Sequence, residues 1–295
     1  MNVSAALEQA VVEAGIRSAV SRVSNLSGGC IHQVLKVELE DGRCIVAKVN
    51  HPDRAAMFEQ EADGLRRLAE TQTVHVPQVI GVVRQPTVCL LLISWLPPAM
   101  TPIRWPSFGE ELAMLHHADV GARYGLDAHN HLGTTLQPNT WCDDWVEFNA
   151  RYRLGHQLRL CRNANLVSDR DAMRIEHVID RLDQHIPRTP KPALLHGDLW
   201  SGNAVQTHDE RGEACVALID PAVSIGDGWA DIAMMQLFGG FPSACYEAYR
   251  ANVNDRDMLK SRIAVYQLYH VMNHMTIFGR GYAPQAMDIV AQLGG

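Results

Sequence analysis

The chain has little that would anchor it in a membrane or bind it to nucleic acid. Its longest apolar run, from Val88 to Leu96, is interrupted by Ser94 and is too short to span a bilayer. The N-terminus lacks the basic start and apolar segment of a secretory signal peptide. The formal net charge of −7 has the wrong sign for a general nucleic-acid binder, which needs a basic face. We therefore expect a cytoplasmic protein with no membrane and no nucleic-acid partner.

The chain also lacks the pattern of a disulfide or C-x-x-C metal protein. Its 7 cysteines are scattered along 295 residues, and an odd number cannot pair completely within one chain, so reduced thiols are expected. There is no internal repeat and no low-complexity segment. Hydrophobic residues make up 47% and charged residues 20% of the chain, which is typical of a globular protein with a substantial core. One large or two medium domains are expected.

The most informative stretch is residues 194–220. In it, His196-Gly197-Asp198 is followed by Asn203 in the spacing H-x-D-x-x-x-x-N, and an apolar run then ends on Asp220. Phosphoryl transfer needs a carboxylate to accept the proton of the attacking hydroxyl, and a carboxamide and a second carboxylate to hold Mg²⁺ against ATP. We therefore predict Asp198 as the catalytic base and Asn203 and Asp220 as metal ligands. The alternative is a β-hairpin in which these polar residues only form the turn.

A second predicted hairpin, near the N-terminus, carries residues suited to binding ATP. Gly28 and Gly29 precede a strand whose apolar residues alternate with charged ones, and Asp41-Gly42 is a two-residue turn signal. On the returning strand Lys48 lies on an apolar face, and Glu61 lies on the apolar stripe of the helix predicted over 53–69. Because a carboxylate on such a stripe is costly to bury alone, we predict that Lys48 and Glu61 pair and grip the ATP phosphates. Taken singly, each could also be a snorkelling lysine or a solvated glutamate.

A short helix is predicted over 4–16, with Leu7, Val11 and Ala14 on one side. Two more strands, 79–83 and 88–96, complete a predicted antiparallel sheet of about five strands, with the helix over 53–69 against it. Beyond Pro97-Pro98 the pattern becomes helical, with helices predicted over 108–118, 141–163, 168–186 and 259–278. The fold class is therefore α+β, a protein-kinase-like two-lobed fold with lobes 1–96 and 97–295. We expect adenine to bind in the cleft between the lobes, against the backbone of Ile93, Trp95 and Leu96.

These segments together resemble the fructosamine kinase (ketosamine-3-kinase) family, relatives of the aminoglycoside phosphotransferases, over nearly the whole chain. The most specific part is the loop from His196 to Asn203 with Trp200 inside it, followed by Asp220-Pro221-Ala222. Other matching segments are 28–29, 58–62, 112–116, 133–139, 145–154 and 266–269.

The resemblance implies ATP-dependent, Mg²⁺-dependent phosphorylation of the O3′ hydroxyl of a ketosamine, either a small molecule or a glycated protein. It implies that Trp200 and His196 lie near the substrate. It also implies that Asp231 is a structural carboxylate bound to backbone amides of the loop from His196 to Asn203, which the resemblance makes the catalytic loop. A monomer is expected, with a dimer as the alternative.

Two positions depart from the family pattern. Ser94-Trp95 replaces the usual Glu near the lobe junction, and Gly228-Trp229 replaces two charged residues before the Ala-Asp pair, which bears on substrate choice.

The alternative functions are a small-molecule kinase of the aminoglycoside or choline type and a nucleotide-binding pseudokinase. Cys30, in the glycine turn, is a candidate for redox control, an ordinary turn cysteine being the alternative. His270 and His274 have the i, i+4 spacing of a helical metal site, but no third ligand accompanies them, so ordinary polar or core histidines are expected.

Overall fold

The computed structural model describes residues 3–26 and 32–295, and the chain divides into two compact units. The first unit comprises Met1–Arg104 together with Gly202–Pro221, and the second comprises Trp105–Ser201 together with Ala222–Gly295. Of the helices in the described ranges, none is long and apolar enough to cross a membrane.

The first unit is built around a five-stranded sheet. Along the chain its elements are helix α1 (Val3–Glu13), strands β1 (Val20–Asn25), β2 (Gln33–Leu39) and β3 (Cys44–Asn50), helix α2 (Ala55–Glu70), and strands β4 (Val79–Arg84) and β5 (Cys89–Ser94). The strands pair antiparallel throughout, in the order β1-β2-β3-β5-β4. The predicted antiparallel sheet of five strands is confirmed.

A helix covers each face of this sheet. Leu7 of α1 packs on the face that carries Leu35, and Phe58 of α2 packs on the opposite face with Val46. The single covering helix predicted from the sequence is α2, and α1 is the second. Because β3 is buried on both faces, its sequence is an almost continuous apolar run interrupted by Lys48.

The second unit begins with mostly helical structure. Its elements up to the catalytic loop are α3 (Trp105–His117), β6 (Asn130–Leu132), β7 (Thr135–Gln137), α4 (Trp145–Phe148), a π-helical segment (Asn149–Leu154), α5 (Gly155–Asn163), α6 (Asp169–Ile179) and β8 (Pro192–Leu195). The helix predicted over 141–163 starts only at Trp145, because the Asp144 carboxylate accepts a hydrogen bond from the Glu147 amide at 2.9 Å and caps the first turn. The predicted cap of α6 by Ser168 is present, with Oγ 3.1 Å from the Asp171 amide.

A hairpin that follows the catalytic loop belongs to the first unit. Its strands are β9 (Ala204–His208) and β10 (Ala214–Leu218). The Ala99 amide donates to the Gln206 carbonyl at 3.1 Å, and the Thr207 hydroxyl donates to the Pro97 carbonyl at 2.7 Å. These bonds join the hairpin to residues 97–100. The two compact units therefore do not have the same bounds as the predicted lobes, 1–96 and 97–295, and the lobe ranges stay a prediction.

The second unit resumes with β11 (Ser224–Asp227) and continues through helices α7 (Trp229–Phe238), α8 (Ser243–Asn252), α9 (Leu259–Phe278) and α10 (Ala283–Gln292). The helix predicted over 259–278 is confirmed by α9. Strand β11 pairs antiparallel with β8, with Ser224 opposite Leu195. This pairing sets the residues that follow β8 beside the residues that precede β11, and so determines where the catalytic loop begins.

Candidate active site

Lys48 lies on the face of β3 that α2 covers, and only 3% of it is exposed. Its Nζ lies 2.5 Å from Glu61 Oε1, and it also forms an ion pair with Asp220. The pairing of Lys48 with Glu61 predicted from the sequence is present. The contact with Asp220 adds a residue that the sequence reasoning had placed at the metal.

The two carboxylates determine the charge state of this buried lysine. Burial by itself lowers the pKa of Lys48, but the charges of Asp220 and Glu61 outweigh it, and the pKa lies above its ordinary value. Burial raises the pKa of Glu61, an effect that Asp220 increases and Lys48 opposes. Lys48 is therefore held as a cation by the two carboxylates that contact it.

Asn203 and Asp220 are brought together by the hairpin β9–β10. The Ile219 amide donates to the Asn203 carbonyl at 3.0 Å. Asn203 and Asp220, the residue after Ile219, therefore lie at the same end of the β9–β10 pair. Asp220 has a left-handed backbone with φ of 56°, and its side chain is 43% exposed. A carboxylate and a carboxamide are hard oxygen donors of the kind that Mg²⁺ takes from proteins, with phosphates and water as its remaining ligands. The donor set fits Mg²⁺ bound together with ATP.

The catalytic loop starts on a backbone that is tightly held within the second unit. The Ala222 amide donates to the His196 carbonyl at 2.8 Å. Gly197 has φ of 82°, and a Cβ at this position would lie 2.1 Å from the Ala222 carbonyl oxygen. No other residue fits the H-G-D turn at this position, so the glycine is needed for the backbone that presents Asp198, which is partly exposed.

Asp231, at the start of α7, binds this backbone directly. Its carboxylate accepts hydrogen bonds from the amides of His196 at 2.8 Å and of Gly197 at 2.9 Å. Only 1% of Asp231 is exposed. Burial by itself raises the pKa of this carboxyl, but the hydrogen bonds from His116 and Gly197 hold the pKa below its ordinary value. The contacts expected for Asp231 from the family resemblance are present.

The structure does not support a substrate contact for His196. Its side chain is completely buried, so it offers no surface to a ligand. Its Nδ1 instead accepts a hydrogen bond from the Asp198 amide at 3.2 Å. We correct the predicted role: His196 shapes the loop from inside.

Trp200 is 38% exposed, and its ring packs edge-on against Phe238 of α7 with centroids 6.4 Å apart. Its ring is therefore held on one side and open on another, as a substrate contact requires.

The residues expected near adenine differ in their surroundings. Ile93 lies inside the sheet, opposite Val46 on one side and Val79 on the other, and is 3% exposed. Trp95 and Leu96 follow the end of β5 and are partly exposed. The expected contacts of adenine are with the backbone of these residues, and they stay a prediction. Gly28, Gly29 and Cys30 lie outside the described residues.

Sequence reasoning missed the polar side chains that hold the segment after Asp220. Gln137 Nε2 donates to the Ala222 carbonyl at 3.1 Å, and Asn130 Nδ2 donates to the Val223 carbonyl at 2.8 Å. Both side chains are buried. The strands that carry them, Asn130–Leu132 and Thr135–Gln137, are mostly polar, so the sequence neither singled out these two side chains nor indicated their partners.

The histidines considered as metal ligands have other neighbours. The His274 ring contacts the His270 carbonyl at 2.8 Å through Nδ1. Within residues 3–26 and 32–295, no group of three or more His, Cys, Asp or Glu side chains is arranged to hold a metal ion.

Comparison with known proteins places these features in a family. A model of the fructosamine kinase family matches residues 2–294. The chain is 38% identical over 277 residues to a protein of Synechocystis sp. assigned as a ketoamine kinase, covering 91% of this chain and 88% of that protein. It is 31% identical over 285 residues to the chloroplastic protein-ribulosamine 3-kinase of Arabidopsis thaliana, covering 95% of this chain and 85% of that protein.

The chain also superposes on a crystal structure from Haemophilus somnus of a protein assigned as a fructosamine-3-kinase. The TM-score is 0.87 and the identity 28%, covering 97% of this chain and 96% of that one. The predicted α+β, kinase-like fold is confirmed.

Proposed function

The chain belongs to the fructosamine kinase family of ATP-dependent phosphotransferases, and we propose that it phosphorylates the O3′ hydroxyl of ketosamines such as ribulosamine or fructosamine adducts. The reaction would be a step in the repair of glycated amines. The observation that supports it most is the loop itself. Asp198 follows two amides that the buried Asp231 binds, and the partly exposed Trp200 lies two residues further on.

Asp198 is proposed as the catalytic base. In phosphoryl transfer the base accepts the proton of the attacking hydroxyl while the phosphoryl group passes from ATP to the oxygen. A partly exposed carboxylate on a fixed backbone suits this role, because a base must be accessible to the substrate and must not move away from it. Trp200 is proposed to pack against the sugar, since an aromatic face suits the apolar side of a sugar ring.

The first unit is proposed to hold the nucleotide. Lys48, kept charged by Glu61 and Asp220, is suited to neutralising ATP phosphates, and Trp95 and Leu96 are suited to contact adenine. Asn203 and Asp220 would hold Mg²⁺, which would offset the negative charge of the phosphates. A monomeric state and a cytoplasmic location stay predictions.

The test is ATP consumption by the purified protein with ribulose-lysine, fructose-lysine or an aminoglycoside as acceptor. We expect turnover with the ketosamines, and we expect Asp198→Asn to slow it on the order of a hundredfold or more, because a positioned base is lost. Asp288→Asn, an exposed aspartate on α10, is the matched control and should leave the rate unchanged. Turnover with the aminoglycoside alone would contradict the proposed substrate, and an Asp198→Asn variant as active as the wild type would contradict the proposed base.

A further inference from the structure

A chain of buried polar groups lies behind the catalytic loop, entirely within the second unit. Besides the two loop amides, Asp231 has a third partner, His116 of α3, whose Nε2 lies 3.2 Å from Asp231 Oδ2. The other ring nitrogen of His116 lies 2.9 Å from the hydroxyl of Tyr249 on α8. His116 is 4% and Tyr249 1% exposed, so neither can touch a substrate.

The direction of these hydrogen bonds follows from the groups themselves. An ionised carboxylate can only accept, so Nε2 of His116 carries the hydrogen and donates it to Asp231. In a neutral imidazole the other nitrogen then accepts, and the Tyr249 hydroxyl is its donor. Burial raises the pKa of Tyr249 well above its ordinary value, so this hydroxyl keeps its proton. The chain Tyr249–His116–Asp231 is therefore complete, and it ends on the amides of His196 and Gly197.

Gly228 lies directly against this chain. A Cβ at residue 228 would come within 2.7 Å of His116 Nδ1 and within 3.0 Å of the Tyr249 hydroxyl oxygen. Since these two atoms are hydrogen-bonded to each other, any side chain at 228 would press between them. The neighbouring Trp229 is buried, and its Nε1 donates to the Asp255 carbonyl at 2.8 Å. Gly228 and Trp229, which form the second departure from the family pattern, thus lie inside the second unit and contact His116 and Tyr249.

We propose that His116 is a positioning residue for phosphoryl transfer, and that Gly228 is required because it leaves room for the His116–Tyr249 hydrogen bond. By fixing the Asp231 carboxylate, His116 fixes the amides of His196 and Gly197 and hence the backbone that carries Asp198. This inference rests on the proposed function for its kinetic consequence. Its structural consequence, the protection of the two loop amides, does not depend on the identity of the acceptor.

The experiment compares His116→Ala, His116→Gln and Gly228→Ala with the wild type in two measurements. The first is hydrogen exchange at the amides of His196 and Gly197, and the second is kcat and KM for ATP and for ribulose-lysine. Val178→Ala is the control, because Val178 is fully buried in α6 and its truncation lowers stability by loss of packing.

We expect His116→Ala and Gly228→Ala to raise exchange at the two amides about tenfold. We expect kcat to fall roughly ten- to a hundredfold with both KM values within about twofold, because a small misplacement of a catalytic group lowers the rate without weakening binding. His116→Gln keeps a donor for Asp231 and should recover most of both losses, whereas Val178→Ala should change neither measurement.

Unchanged exchange and unchanged kcat in His116→Ala would overturn the proposal, as would equal losses in Val178→Ala. Failure of His116→Gln to recover kcat would also count against it, because the lost donor would then not be the cause. If the wild type uses no ketosamine, the proposed function fails, and the exchange measurement still decides whether His116 holds the loop.

Discussion

Lys48 is the residue whose surroundings most clearly combine stability with function. Only 3% of Lys48 is exposed, and only 11% of the side chain of its partner Glu61 is exposed. Two buried charges of this kind stabilise a fold only as a pair, because a partner left alone would be an uncompensated charge in an apolar environment. The third member, Asp220, keeps 43% of its side chain exposed, so it remains accessible from solvent while it pairs with Lys48.

Replacing Lys48 alone should therefore destabilise the protein more than replacing the pair. We expect Lys48→Met to lower the free energy of unfolding by about 3 kcal/mol, because it leaves Glu61 buried without its partner. The double variant Lys48→Met/Glu61→Leu should recover most of that loss while remaining inactive with ATP. Urea denaturation and turnover are the two measurements. Arg67→Met, which breaks a partly exposed pair with Asp63 on α2, is the control and should cost less than about 1 kcal/mol. A double variant as unstable as the single one would contradict the pairing explanation.

Among the structural elements, the junction between β8 and the catalytic loop is the most constrained. The ladder with β11 and the hydrogen bond from Ala222 to His196 bring two backbone segments together at Gly197. Both the φ of 82° and the nearby Ala222 carbonyl exclude a side chain there. Gly212, in the β9–β10 turn, has nearly the same φ of 81° but no atom within 4 Å of its Cβ position. Comparing substitutions at these two glycines therefore distinguishes the cost of the left-handed backbone from the cost of the close contact with Ala222.

Gly197→Ala and Gly212→Ala should therefore differ although their backbones are alike. Gly212→Ala should lower the free energy of unfolding by about 1 kcal/mol, the cost of a left-handed alanine, and leave turnover unchanged. Gly197→Ala should lose more, about 3 kcal/mol, because a backbone carbonyl cannot move aside cheaply, and it should abolish turnover. Thermal unfolding and ATP consumption measure both effects. Equal stability losses in the two variants would show that the Ala222 contact is unimportant.

At the scale of the whole molecule, buried histidines make stability depend on pH. Burial lowers the pKa of His270 on α9 to about 3 and that of His32 to about 4, in the second and first units respectively. Below the ordinary histidine pKa of about 6.5, these two histidines bind protons in the unfolded chain but stay neutral in the folded chain. Stability contributed by these neutral histidines is therefore present above pH 6.5 and is lost as the pH falls toward the folded-state pKa. Glu61, whose pKa is raised, acts in the opposite direction.

The contribution of His270 can be isolated by substitution. Between pH 7 and pH 5 the wild type should lose about 2 kcal/mol of unfolding free energy through His270, and His270→Phe should not lose this part. Urea denaturation at the two pH values measures the difference. His51→Asn, at an exposed histidine, is the control and should keep the wild-type pH dependence. An identical pH dependence in His270→Phe and in the wild type would show that His270 is protonated in the folded state.

Much of the first unit could be predicted from local patterns, because strand alternation, turn residues and helical periodicity depend on neighbours only a few residues apart. The face of Lys48 and its pairing with Glu61 followed from such patterns and are present. The covering of the second sheet face by α1 did not follow from them, since an amphipathic helix shows that it packs but not where. His196 was expected at the substrate because of its place in the motif, yet a motif gives spacing along the chain and says nothing of burial.

The sequence by itself determined the family, the kinase-like fold and the spacing of Asp198, Asn203 and Asp220, because these depend on residue types at short separations. Only the tertiary structure decided what holds the loop. His116 is separated by 115 residues from Asp231 and by 133 from Tyr249, and no local pattern relates residues so far apart. Their contact arises because α3, α7 and α8 pack together in one unit, and the close approach at Gly228 exists only once they have done so.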